Sequence, residues 1–187
     1  MSNYFTQTMI EALISSKTRI KLLLKFFLNS NNKSYLRSLE SEFGESSNAI
    51  RVELNRFEEA GMLSSFTSGN RKYFQANTQH PLYNEVHNIL RKQLGIDQII
   101  ENIIERLGNV EQVFITGALA RGVDSKIIDL VFVGEVNIEY LITLIEKAEK
   151  LISRKIRYVV YSGADPVFAD EVIGDQNALL IWEKDAL

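Results

Sequence analysis

An α+β fold of two units is what these 187 residues predict, and three observations carry that expectation. Helix-periodic segments followed by a two-stranded pattern fill the first half. Strands and helices alternate through the second. The charge also changes sign between them: residues 1–94 hold 12 Lys and Arg against 8 Asp and Glu, whereas residues 95–187 hold 9 against 16. A basic half next to an acidic one suggests units with different partners, one of them a polyanion. The expected units are 1–94 and 95–187, with the boundary near 94–97.

Residues 9–29 read as helical, because Ile14, Ile20, Leu23, Leu24 and Phe27 recur at spacings of three, four and seven. The polar stretch "NSNNKS" breaks the pattern. A second helix is expected from Ser34 to Phe43, with Leu36, Leu39 and Phe43 inward. Gly44 ends it and Ser46 is suited to cap the next. The third helix, 46 to 60, carries Ile50, Leu54 and Phe57 on one face, and Gly61 closes it. Then "MLSSFTSGNRKYFQAN" gives two strand-like runs, Leu63–Phe66 and Lys72–Gln75, around the turn "TSGN". Helix, helix, helix and hairpin, in that order, describe a winged helix-turn-helix.

If Ile50, Leu54 and Phe57 face the core, Asn48, Val52 and Asn55 face outward, with Arg51 on the flank. Ser46, Ser47 and Asn48 lie at the helix start, where amides suit a phosphate. Arg51 can fork onto guanine, Asn48 or Asn55 onto adenine, and Val52 can touch only a thymine methyl or a sugar. Asn70, Arg71 and Lys72 at the hairpin tip suit phosphates or a minor groove. Solvated surface charge is the plainer account of these cations, and winged helices also serve as protein-interaction modules. Tyr73 and Phe74 alternate along a strand, so one is expected in the core, with neither stacking on a base. His80 and His87 have no metal-ligand partners in the pattern and read as packing or surface residues.

Residues 16–93, densest in "IRVELNRFEEAGMLSS…GNRKYFQAN", resemble the winged-helix domain of arsenic-repressor-type (ArsR-like) bacterial transcription regulators. That resemblance implies double-stranded DNA as partner and a homodimer. It also implies a basic residue where Val52 stands, a departure that narrows what the helix can read. The next segment, "LYNEVHNILRKQL", begins a helix after Pro81 with the stripe Leu82, Val86, Ile89/Leu90 and Leu94. With Phe5, Met9 and Leu13 of the N-terminal helix, it is the expected dimer surface, unless both stripes pack on their own chain. A twofold dimer suits two half-sites on a duplex.

In the second half, Ile96, Ile99, Ile100, Ile103, Ile104 and Leu107 make one broad apolar helical face. "VEQVFITG" and "IIDLVFVG" read as buried strands with the short turn "ALARG" between them. Residues 137–151 read as a helix and "KIRYVVYS" as a third strand. "ALLIWE" either completes the sheet or lays Trp182 over the site described next, and the acidic segment after Phe168 has no assigned role.

This order, over about residues 96–187, resembles the minimal nucleotidyltransferase domain of the DNA polymerase beta superfamily. That family sets Gly-Ser after a strand, Asp-hydrophobic-Asp on the next strand and a third carboxylate on a later one. The resemblance assigns phosphates to the Gly-Ser turn and Mg²⁺ to carboxylates that share a strand face. Carried onto this chain, Gly117 matches the glycine, Ala118 replaces the serine, Ile127 replaces the first aspartate and Asp129 matches the second. "KIRYVV" offers Arg157 in place of the third. Asp124 lies in a loop, off that face. One carboxylate of three is a poor Mg²⁺ site, so no catalytic residue, metal or cofactor is assigned. Gly117, Arg121, Asp129 and Arg157 remain candidates for holding a nucleotide or other phosphorylated effector, with Asp129 capping or pairing with Arg121 or Arg157.

Composition narrows the classes further. There is no cysteine, which excludes disulfides and thiolate metal sites and fits a reducing cytoplasm. No apolar run approaches the ~20 residues of a membrane span. "IKLLLKFFL" carries Lys21 and Lys25 and lacks the form of a secretion signal. A cytoplasmic DNA-binding transcriptional regulator is therefore the leading expectation. An active nucleotidyltransferase using Asp129, targeted by its winged helix, and a protein-interaction module are the rivals.

Overall fold

A computed structural model describes residues 10–108, 110–162, 172 and 178–184. The helix expected over 9–29 is broken. A helical turn at residues 10–13 stops, and α1 (Lys17–Leu23) starts afresh where the extended Ser16 accepts the Arg19 amide on its hydroxyl. A serine offers the backbone this local alternative, which apolar spacing cannot reveal. Beyond Leu23 the helix widens into a π turn, Leu24–Leu28, with all five side chains buried.

Ser34 and Tyr35 form a strand, β1, and not the first turn of a helix. They pair antiparallel with Phe74 and Tyr73. Only then does α2 (Leu36–Phe43) begin, capped by Ser38, whose hydroxyl accepts the Tyr35 amide and donates to the Tyr35 carbonyl. The third helix, α3 (Ser47–Glu59), starts at Ser46 as its spacing predicts and buries Ile50, Leu54 and Phe57. It also buries Glu53, which Arg19 of α1 grips through two nitrogens at 2.9 and 3.2 Å and which Arg56 approaches at 3.2 Å. Burial pushes that carboxyl up, but Arg19, Ser16 and Arg56 outweigh it and leave the group below its ordinary value.

Strands β2 (Leu63–Ser68) and β3 (Arg71–Ala76) meet at Ser68 and Arg71, leaving Gly69 and Asn70 as the turn. The sheet order is β1-β3-β2. Phe74 and Leu63 face the helices and are buried, while Tyr35, Tyr73 and Phe66 form a row across the outer face. The expected alternation holds, and Phe74 is the one of the pair that enters the core.

Helix α4 (Tyr83–Leu94) turns at Gly95 directly into α5 (Ile96–Ile99), which runs on through a second π turn at Ile100–Ile104. Its expected single stripe resolves into two faces. Leu90 and Leu94 pack into their own chain, whereas Leu82 and Ile89 are exposed. Leu13 is also exposed, and Phe5 and Met9 lie outside the described residues.

The second sheet has the order β6-β5-β4-β7, from β4 (Val110–Thr116), β5 (Ile127–Gly134), β6 (Lys155–Tyr161) and β7 (Leu179–Glu183). A short α6 (Gly117–Ala120) follows β4, and α7 (Ile138–Ile152) makes the crossover between the parallel strands β5 and β6. Its Leu141, Leu144, Ile145 and Ala148 pack on the sheet side and on α5. "ALLIWE" completes the sheet against β4, where Trp182 opposes the buried Val113. It therefore sits on the opposite face from Asp129. Apart from Val172 and residues 178–184, the segment after Phe168 lies outside the described residues.

One apolar cluster runs through both halves, from Leu22 and Phe26 to Ile156 and Ile181. A polar seam reinforces it. The buried Asn29 and Asn32 both donate to the Ala120 carbonyl, at 3.1 and 3.2 Å, and Asn32 also donates to the Lys25 carbonyl at 2.9 Å. Gly122, at φ 74°, lies so close that a Cβ would enter the Lys25 backbone. "NSNNKS" does break the helix, but two of its asparagines serve the interior.

Candidate functional site

An open cleft of about 700 Å³ lies between the start of α2, the outer flank of α3 and the hairpin tip. Five residues expected from the sequence line it: Arg51, Asn55, Asn70, Arg71 and Lys72. Tyr35, Leu36, Arg37, Leu54 and Phe74 complete the walls. No carboxylate is among the lining residues. Ser46, Ser47, Asn48 and Val52 stand outside the cleft, at the start and on the outward face of α3. The Ser46 hydroxyl already accepts the Ala49 amide, and Val52 is 40% exposed.

The cations here are not equivalent. Lys72 points along the core-facing side of β3, where Glu58 of α3 holds its ammonium at 2.7 Å. Ser65 donates to the same carboxylate at 2.5 Å. Together Lys72 and Ser65 keep the Glu58 carboxyl below its ordinary range. Lys72, expected as a phosphate or minor-groove contact, thus already has a partner within the fold, while its side chain stays half exposed. Arg37, Arg51 and Arg71 have no ion pair among the described residues. Arg71 instead lies over the Tyr35 ring, its guanidinium carbon 4.6 Å from the centroid.

A second polar group sits on the four-stranded sheet. In register across three strands stand Thr116, Asp129 and Arg157. Arg157 donates to Asp129 at 2.6 Å, settling which arginine takes that aspartate. Gly117 lies directly beside it, at φ 68°; a Cβ there would meet the Asp129 carboxylate. Arg121 is exposed at the end of α6; its backbone amide donates to the Gly117 carbonyl, but among the described residues its side chain makes no ion pair with Asp129. Three of the four candidates are thus brought together and one is not. Asp124, the loop carboxylate, pairs with Arg154 at 2.8 Å, and Arg154 also donates to the Ser125 carbonyl. Among the described residues no three of His, Cys, Asp and Glu gather as a metal site would need.

Three residues were missed from sequence. Tyr35 and Arg37 reach the cleft because of the two-residue strand β1, and Thr116 supplies a hydroxyl beside Asp129 only through strand register. His80 and His87 do local work: the Leu82 amide donates to one ring, and the other meets the Phe27 carbonyl at 2.7 Å.

No family model and no curated protein matches the chain. Among solved structures, the Shewanella oneidensis tri-AMPylated HEPN toxin in complex with MNT antitoxin aligns at 15% identity and a TM-score of 0.38, over 50% of this chain and 73% of that one. A candidate nucleotidyltransferase from Sulfolobus solfataricus aligns at 25% identity and a TM-score of 0.33, over 48% of this chain and 78% of that one.

Proposed function

We propose that the chain is a homodimeric regulator that binds double-stranded DNA sequence-specifically. In this reading α1 to β3 form a winged helix, α3 reads base edges, and the hairpin is the wing. The observation that carries it is the cleft itself: three arginines without a carboxylate partner, gathered between a helix and a hairpin. Guanidiniums that line one cleft without a carboxylate partner favour a polyanion. Arg51 and Asn55 stand where a guanine or adenine edge would be read, with Asn48 and Val52 on the adjoining turn. Ser46 and Ser47 adjoin the backbone.

The dimer reading is supported by the outer face of α4. Leu82, Glu85, Ile89 and Lys92 follow at helical spacing and are all exposed. In an antiparallel twofold pair, Glu85 of one copy faces Lys92 of the other while Ile89 packs near the axis, so the face is self-complementary. Sedimentation should show a dimer that Ile89→Glu converts to monomer.

The second unit acts as a scaffold or as the receiver of a nucleotide or other phosphorylated effector at Gly117, Asp129 and Arg157, with Arg121 nearby in sequence, and carries out no transfer reaction. Asp129 is engaged by Arg157 and Asp124 by Arg154, which is a poor start for binding Mg²⁺. A second reading, nucleotidyl transfer, draws on Thr116, Gly117 and Asp129 standing together; label transfer from α-labelled ATP that is lost in Asp129→Ala would favour it.

The deciding experiment is fluorescence anisotropy on a genomic duplex pool with selection and a salt series. Enrichment of a short inverted repeat with steep salt dependence supports the regulator. Weak binding, equal for all sequences, overturns it.

A further inference from the structure

The cleft has one feature that base reading alone leaves unexplained, a rigid aromatic support beneath an otherwise flexible cation. Tyr35 is held three ways. Its backbone pairs with Tyr73 in the sheet, its amide and carbonyl are tied to the Ser38 hydroxyl at 3.1 and 2.7 Å, and its ring meets the edge of Tyr73 at 5.3 Å. Tyr73 in turn stacks on Phe66 at 5.6 Å, so the support extends across all three strands. Arg71 lies on this surface. A guanidinium stacked by its face leaves its N–H edge outward; Tyr73 takes one hydrogen bond from that edge, and the remaining N–H groups can fork onto phosphate. Arg37 flanks the same opening from α2 and Arg51 from α3.

Resting on the DNA-binding reading, we propose that this cleft takes the sugar-phosphate backbone of one DNA strand. Arg37 and Arg71 are its phosphate contacts, and Tyr35 is the positioning residue that holds Arg71 in place. Bases are left to Arg51 and Asn55 on the α3 wall of the cleft and to the outward face of α3 beyond them. Lys72, fixed by Glu58, takes no part. The apolar floor of Leu54 and Phe74 suits a sugar edge, while the rim supplies charge.

The test measures anisotropy against salt on the selected duplex and on a random-sequence duplex, with thermal unfolding of each variant as a check of folding. Arg37→Gln and Arg71→Gln should each lower the slope of log K against log salt by about one, alike on both duplexes. Tyr35→Phe should bind as wild type. Tyr35→Ala should lose roughly three-fold, and should lose nothing further when Arg71 is already Gln, because a positioning residue has no effect without the group it positions.

An equal Tyr35→Ala loss in both backgrounds would overturn the positioning role. Unchanged slopes for Arg37→Gln and Arg71→Gln, alongside a sequence-dependent loss for Arg51→Ala, would overturn the backbone cleft and leave the regulator reading intact. Absence of selective binding by the wild-type chain would remove both. The two glutamine variants touch no buried side chain, so they remain informative even if Tyr35→Ala fails to fold.

Discussion

At the cleft, Arg37, Arg51 and Arg71 face solvent and have no ion pair among the described residues; at the second sheet, Arg154 just before β6 and Arg157 within it each hold an aspartate. The two regions use the same side chain for opposite ends. Where a guanidinium is already paired, its charge serves local geometry, and an incoming anion meets the repulsion of the carboxylate beside it. Where it is unpaired, the field reaches outward and falls off with salt. Lys72 shows that the distinction follows partners and not position, since it stands at the cleft yet belongs with the paired group.

The sharpest way to break this comparison is Arg51→Ala. Specific affinity should fall by ~1–3 kcal/mol if the side chain reads a base, with less effect on random duplex; equal losses on both would make it another backbone contact. Arg19→Ala probes the paired class within the first unit. It leaves buried Glu53 with Arg56 and Ser16, so chemical denaturation should show a loss of ~1–2 kcal/mol in stability, a value discounted because Arg19 is partly exposed. DNA affinity of the folded variant should not change.

On the second sheet, Asp129→Asn should free Arg157 and raise affinity for ATP about five-fold by equilibrium dialysis, the size of a partly exposed ion pair. A loss of ATP binding would mean that the carboxylate itself serves the ligand. Smallest of all, Lys72→Ala should change DNA affinity by no more than about two-fold, whereas Glu58→Gln should steepen the salt slope by about one. Acid should mimic that release. Because the Glu58 carboxyl is depressed in the folded state, its contribution to stability is present above its unfolded value and is lost as pH falls through the folded one. Hydrogen exchange at the hairpin amides against pH would follow it.

Much of the frame could be read from periodicity. Ile50, Leu54 and Phe57 set the face of α3, and the apolar runs of β4 and β5 announced the inner strands of a sheet. What could not be read depends on partners distant in the chain. Two residues, Ser34 and Tyr35, are too few for a strand pattern, and only Tyr73 and Phe74 across the ladder make them one. Without β1, neither Tyr35 nor Arg37 could be assigned to the cleft. Asp129 and Arg157 were both visible, but their pairing follows from the parallel register of β5 and β6. Glu58 lies 14 residues from Lys72, on another element, and nothing local marks it as the lysine's partner.

The seam at Ala120 bears on how the molecule comes apart. Its carbonyl accepts two buried asparagine amides from the first unit, and Gly122 admits the Lys25 backbone with no room for a side chain. Pulling the halves apart would strand those amides and open the shared apolar cluster to water together, so neither half has a low-energy intermediate to rest in. Calorimetry should record one cooperative melt rather than two. The boundary at Gly95 then marks a change of architecture inside a single folding unit.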